Sequence, residues 1–253
     1  MKNKIDYTLY LADTTLILSQ RNAEWCGHGP ILEQDIAITN ISLDLLGQSR
    51  NFYQYAAALI NQLTNKPTGP ATEDSLAYLR KEREFKNLLL VEQPNGDWGQ
   101  TILRQYLFSQ FQYLLFEKLQ HCNDEQLAAI AAKSIKETAY HVRWSSEWVI
   151  RLGDGTDESK NRMTKAIDEL WRYTGEMFEP AVYETIVDIK ALQKNWQQKV
   201  NFILNEASLI PPSGAEGGVF MQSGGKEGKH TEQLGYILAE LQYMQRTYPG
   251  AEW

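Results

Sequence analysis

"WGQTILRQYLFSQFQYLLF", residues 98–116, carries one charge, Arg104, and its apolar side chains point in most directions around a helix. A helix that is hydrophobic nearly all round must be covered on every side, by neighbouring helices or by a partner chain. The rest of the chain supplies such neighbours. Apolar residues recur at three- and four-residue spacing nearly throughout, and strand-like alternation is scarce. The pattern predicts helices near 6–22, 31–64, 73–92, 97–121, 124–152, 157–179, 182–207 and 230–247. Breaks fall where turn chemistry sits: CGHGP at 26–30, NKPTGP at 65–70, PNGD at 94–97 and RLGDGTDES at 151–159. Thr156 or Asp157 is placed to cap the helix that follows. Residues 211–230, PPSGAEGGVFMQSGGKEGKH, hold six glycines in twenty and read as a long loop. With no internal repeat, the chain reads as one all-α domain spanning 1–253.

Composition narrows the function classes. At 253 residues the chain can bury a substantial core, and 43% hydrophobic with 23% charged residues is ordinary for a globular protein. A net charge of −7 argues against nucleic acid as a partner, which needs a basic footprint, and against docking on anionic membranes. The opening MKNKIDYTLYLADTT has acids where a signal peptide needs an apolar run, so export is not expected. No stretch approaches the roughly 20 apolar residues that span a bilayer. Two cysteines, Cys26 and Cys122, do not build a disulfide framework, and a reducing cytoplasm suits the chain. Seven Trp, thirteen Tyr and eight Phe fill a core with some to spare, and an extensive partner interface would use the surplus.

Long helices rich in Glu, Asp and Trp raise the di-iron carboxylate site. It takes a Glu from each of two helices and a Glu-x-x-His pair from each of two others, because i, i+3 spacing puts both side chains on one face. Only His141, of the four histidines His28, His121, His141 and His230, lies well inside a predicted helix. In KETAYH the pair Glu137-x-x-Tyr140 occupies the frame where Glu-x-x-His belongs, and position 138 is Thr. The second helix reads Asp44-Leu-Leu-Gly47, with glycine at the ligand position. Helix 98–116 holds no Asp or Glu and offers no bridging carboxylate. The literal Glu-x-x-His, Glu227-Gly-Lys-His230, falls in the glycine-rich loop, where no helix face aims the pair. Asp44, Gly47, Glu137, Tyr140 and His141 therefore read as a degenerate di-iron frame, with no metal ligand, catalytic residue or cofactor site expected in this chain.

The remaining candidates are weaker. Cys26, His28, His121 and Cys122 do not follow structural zinc spacings. GGKEGKH fails the P-loop pattern, which leaves Lys226, Lys229 and His230 either to touch an anionic group, such as a coenzyme A phosphate, or to dock the loop on a partner or cap the last helix. Glu24, Glu33, Asp35, Asp44 and Glu137 either face solvent or turn inward. Inward acids need partners, for which Arg21, Arg50, Arg104 and Arg143 are at hand.

The blocks RNAEWCGHGPILEQDIAITNISLDLLGQSR, NGDWGQTILRQYLF, KETAYHVRWSSEWVIRLGDGTDES, ELWRYTGEMFE and GGKEGKHTEQLGYILAELQYMQRTYPGAEW resemble the PaaC family of ring-1,2-phenylacetyl-CoA epoxidase subunits. They run from the first helix to the last residue. The resemblance implies a ferritin-like helical bundle with additional helices, its di-iron site degenerate. It also implies a structural role beside the catalytic di-iron subunit PaaA and other subunits of the complex. That complex epoxidises the aromatic ring of phenylacetyl-CoA with O₂ and electrons from an NADPH-dependent reductase, in aerobic phenylacetate catabolism in the cytoplasm. The di-iron cofactor is then expected in the partner subunit. One departure is Trp144: HVRWS stands where the family pattern is expected to read HLRHS, one histidine fewer. Two other classes stay open: an independent metal-dependent oxidase or oxygenase with a non-standard site, and a self-associating helical protein. A homodimer of the isolated chain is compatible with each of these readings, since an orphaned apolar surface tends to pair with itself.

Overall fold

The computed structural model describes residues 1–63, 69–211 and 220–251, and every regular element among them is helical. Of the predicted glycine-rich loop, 212–219 lies outside the described residues, as does 64–68 around the NKPTGP break. The chain divides into two compact units, 1–92 with 181–183 and 224–253, and 93–180 with 184–223.

The first unit is built on α1 (Lys2–Ala23) and α2 (Leu32–Leu63), which pack along each other. Small residues set their approach. Ser19 Oγ donates to the Ser42 carbonyl at 2.8 Å, Ser42 Oγ to the Ser19 carbonyl at 2.8 Å, and Ser49 Oγ to the Ala12 carbonyl at 2.9 Å. Between the helices the CGHGP turn bends at Gly27, whose φ of 81° a side chain would strain.

The predicted helix at 73–92 is instead two short ones, α3 (Glu73–Tyr78) and α4 (Leu89–Glu92), around a 3₁₀ turn at Glu82–Glu84. Side chains take the backbone groups that a continuous helix would have paired: Arg80 binds the Leu76 and Glu84 carbonyls, and the Lys86 amide goes to Asp13 Oδ2 at 2.8 Å.

The second unit surrounds α5 (Trp98–Leu119) with α6 (Glu125–Gly153), α7 (Asp157–Leu170) and α8 (Gln193–Glu206). Of the 22 residues of α5, 17 are buried, so no broad face is left for solvent. The Trp196 indole donates to the Leu107 carbonyl at 3.0 Å and packs tilted at 5.3 Å from Phe178, which meets Phe111 edge-on at 5.6 Å. Three caps fix the helix starts. Asp97 accepts the Gln100 amide, Asp124 the Leu127 amide, and Thr156 forms a reciprocal box with Ser159.

Two further predicted spans shorten in this unit. The helix at 157–179 ends at Leu170 and continues as 3₁₀ turns, where the Thr174 hydroxyl bonds back to the Trp171 carbonyl at 2.8 Å. The span predicted at 182–207 becomes regular α-helix only at Gln193. In the first unit the last helix divides into α9 (Glu232–Leu241) and α10 (Tyr243–Thr247). At the break the Gln242 amide group leaves for the Ala77 and Arg80 carbonyls, at 3.1 and 3.0 Å.

Candidate functional site

The inward faces of α5 and α6 meet along a polar seam. Gln105, Ser109 and Gln112 of α5 and Ser134, Thr138, His141 and Ser145 of α6 are all buried. Gln105 donates to Ser109 at 2.8 Å, Thr138 Oγ1 to the Ser134 carbonyl at 3.0 Å, and Ser145 to the His141 carbonyl at 2.6 Å. Thr138 and His141 are both fully closed to solvent.

The residues of the frame read from the sequence separate here, with His141 buried and the others nearer the surface. Glu137 is half-exposed and Tyr140 is exposed, so the inward i, i+3 pair on α6 is Thr138-x-x-His141, with a threonine at the carboxylate position. The other frame is likewise turned off the core. Asp44 is half-exposed and Gly47 is exposed with open space at its Cβ position, whereas Leu45 and Gln48 face in. A helix advances about 100° per residue, so a step of one residue moves a side chain from core to rim.

A di-iron centre needs bridging and terminal carboxylates beside its histidines. The seam offers hydroxyls, carboxamides and one imidazole, a donor set that does not fit the pair of irons. Among the described residues no three His, Cys, Asp or Glu side chains gather as a ligand set.

The buried charge of the first unit lies elsewhere. Asp13 of α1 is 0% exposed and binds Tyr53, Arg80 and the Lys86 amide. Arg80 also lies over the Tyr53 and Phe85 rings, at 5.6 and 4.3 Å. Burial opposes the charge on Arg80, but Asp13 and Tyr53 together more than offset it and raise its pKa. Burial, and then the Asp13 charge, push the Tyr53 phenol well above its ordinary value. The second centre is Glu92, 0% exposed, which gathers Asn87, His230 and Thr231.

No motif singles out either acid. Each shows in the sequence as a lone carboxylate in an apolar run, YLADTTL and LLLVEQP, the signature of a buried charge that requires partners.

The loop residues separate. Lys226 is 2% exposed, with its ammonium 5.3 Å over the Tyr10 ring, so it is a core cation and not a surface one. Lys229 is exposed, and the His230 ring is sealed against Glu92. Glu227 of the literal Glu-x-x-His motif stays exposed while its histidine pairs with an acid 138 positions away.

Cys26 is exposed, and Cys122 is half-buried with its thiol 3.4 Å from the Asp124 carbonyl. The arginines distribute as local pairs. Arg21 meets Glu24 at 2.9 Å and Arg50 reaches Glu73 at 3.5 Å, while Arg104 binds the Gln93 carbonyl and Asn95, and Arg143 lies over Tyr140. Asp35 accepts the Gly29 amide at 2.9 Å, and that bond, with one from Gly27, lowers its pKa.

One surface stands out against this interior. Leu32, Ile36, Leu43 and Leu46 of α2 are 72, 51, 60 and 42% exposed, and their spacing puts them on one stripe of the helix with Gly47. Exposed apolar rows of that length mark interaction faces. No helix among the described residues is long and apolar enough to cross a membrane.

Comparison with known proteins supplies relatives for this helical chain. The family model described as "Phenylacetic acid catabolic protein" matches residues 1–253. A protein from Escherichia coli (strain K12), named as a subunit of 1,2-phenylacetyl-CoA epoxidase, is 48% identical over 254 residues, covering 98% of each chain. The all-helical architecture is consistent with the ferritin-like fold of that family. The chain belongs to the phenylacetic acid catabolic protein family.

Proposed function

We propose that this chain is a structural subunit of a phenylacetyl-CoA-epoxidising oxygenase, pairing with a catalytic di-iron subunit and holding that subunit's ligand helices in place. The observation that carries the reading is the 48% identity, across 98% of both chains, to a protein named as a subunit of such an epoxidase. Two features of the fold support it. The seam between α5 and α6 is lined by hydroxyls, carboxamides and one imidazole, and α2 carries an apolar stripe left exposed among the described residues. The stripe is the face offered to the catalytic subunit. Gly47 within it lets a partner helix approach closely, since nothing lies within 4 Å of a Cβ built there. In this role the chain performs no chemistry of its own, and the complex works in the cytoplasm on a coenzyme A thioester.

The test is to produce the catalytic subunit with and without this chain and to measure ring epoxidation, solubility and iron content. Loss of all three without the chain is the expected result. A catalytic subunit that is soluble, iron-loaded and fully active alone overturns the scaffold role. Stoichiometric iron and turnover in this chain by itself would make it an independent oxygenase instead. A homodimer that excludes the catalytic subunit would make it a self-associating protein.

A further inference from the structure

Glu92 closes α4 with a carboxylate sealed from solvent, and each of its oxygens is held by two groups. Oε1 takes Asn87 Nδ2 at 2.8 Å and His230 Nδ1 at 2.6 Å, and Oε2 takes the Thr231 amide at 2.9 Å and the Thr231 hydroxyl at 2.6 Å. On the other side of the imidazole, Nε2 lies 3.0 Å from the Phe85 carbonyl. Both ring nitrogens therefore face acceptors. A neutral imidazole carries hydrogen on only one nitrogen, so one of the two contacts would set a lone pair against an oxygen. The imidazolium makes both.

The surrounding charges agree. Glu92 on α4 touches the ring, and Glu82 in the 3₁₀ turn also favours its positive form. The nearby cation, Arg21 of α1, is turned to the Glu92 backbone carbonyl at 3.1 and 2.8 Å and to Glu24 at 2.9 Å.

His230 sits at the head of the segment that leads into α9, and that segment fits with no slack. Gly225 lies with its Cα against the Asn87 carbonyl, and Gly228, at φ 77°, lies against the Arg83 carbonyl, so neither position has room for a side chain. Thr231 precedes α9 at the N-cap position but spends its hydroxyl on Glu92, leaving that helix start without a side-chain cap. One carboxylate thus anchors the loop, the start of the helix and the histidine at once.

We propose that His230 and Glu92 form a proton-operated latch: the imidazolium fastens residues 224–241 onto α1 and α4, and its conversion to the neutral ring loosens that segment. Burial opposes the charged ring, but the bond to Glu92 and its charge more than compensate and raise the pKa above 6.5. Release therefore lies on the alkaline side of that value.

Hydrogen exchange of the full chain between about pH 6 and about pH 9, corrected for intrinsic rates, tests the latch. Amides of 224–241 should lose protection by up to about tenfold per pH unit above pH 6.5, where opening releases the ring's proton, and level off once the closed form itself deprotonates, while α5 keeps its protection. His230→Gln retains a donor toward Glu92 and cannot titrate, so its protection should not depend on pH. Unchanged protection of 224–241 across the range in the natural chain overturns the proposal, as does a pH response that survives in His230→Gln. Should the variant fail to fold, imidazole ¹⁵N shifts of the natural chain decide. A titration midpoint above the 6.5 of a free imidazole supports the latch, and a midpoint at or below that value overturns it.

Discussion

Tyr53 donates its phenolic hydrogen to Asp13 Oδ1 across 2.6 Å, with the two residues 2 and 0% exposed. Asp13 receives Arg80 and the Lys86 amide as well, so its removal leaves a buried guanidinium without its counter-charge. Asp13→Asn should lower unfolding stability by about 3–5 kcal/mol, against about 1–2 kcal/mol for Tyr53→Phe, which deletes the bond to Asp13 and the one accepted from Arg80 but removes no charge. Urea unfolding of both variants gives the comparison, and equal losses would mean that Asp13 is not the hub.

The folded chain holds His230 above 6.5 while the unfolded chain returns it to the ordinary value. The native state then binds the extra proton, so this contribution to stability is fully present below pH 6.5 and disappears as pH rises through the raised folded value. Melting temperature should accordingly fall over that alkaline window, and His230→Gln should flatten the fall. A natural chain that melts later as pH rises there would contradict the sign.

Trp144 packs edge-on against Trp98 at 6.0 Å, and Trp98 meets Trp148 the same way at 6.3 Å. The tryptophan that stands where a histidine was expected is thus part of an aromatic cluster. Trp144→Ala should cost about 3–5 kcal/mol and diminish the near-ultraviolet circular dichroism of the cluster. A stability change within about 0.5 kcal/mol would place the residue among surface substitutions.

Leu43→Glu with Leu46→Glu puts two charges into the exposed stripe of α2, where the side chains are 60 and 42% exposed. Melting temperature should hold, while affinity for the catalytic subunit should drop by at least tenfold, about 1.4 kcal/mol. Affinity that is unchanged in a pull-down titration would move the interface to another face.

The helical class, the α5 core and most turns were legible because they follow from local periodicity and from capping residues such as Thr156 and Asp97. The places that escaped are those where a distant side chain captures backbone. Nothing near residue 80 announces that Asp13 will take the Lys86 amide, or that Gln242 will take the Ala77 carbonyl. The residues of the degenerate frame separate between core and rim for a related reason. Spacing places two residues on a common face, but the packing of the finished fold decides which face is inside, and it chose Thr138 and His141 over Glu137 and Tyr140. Glu92 and His230, 138 positions apart, have no spacing to read at all.

The near-absence of charge along α5 also bears on how the chain is made. Emerging from a ribosome, residues 98–119 present leucine and phenylalanine over most of their circumference and are poorly solvated alone. The next segment synthesised is α6, joined by residues 120–124, and it packs along α5. At roughly 5–20 residues per second, cover for α5 is on its way within seconds. The order of the helices limits how long the most insoluble part of the chain stays uncovered during translation.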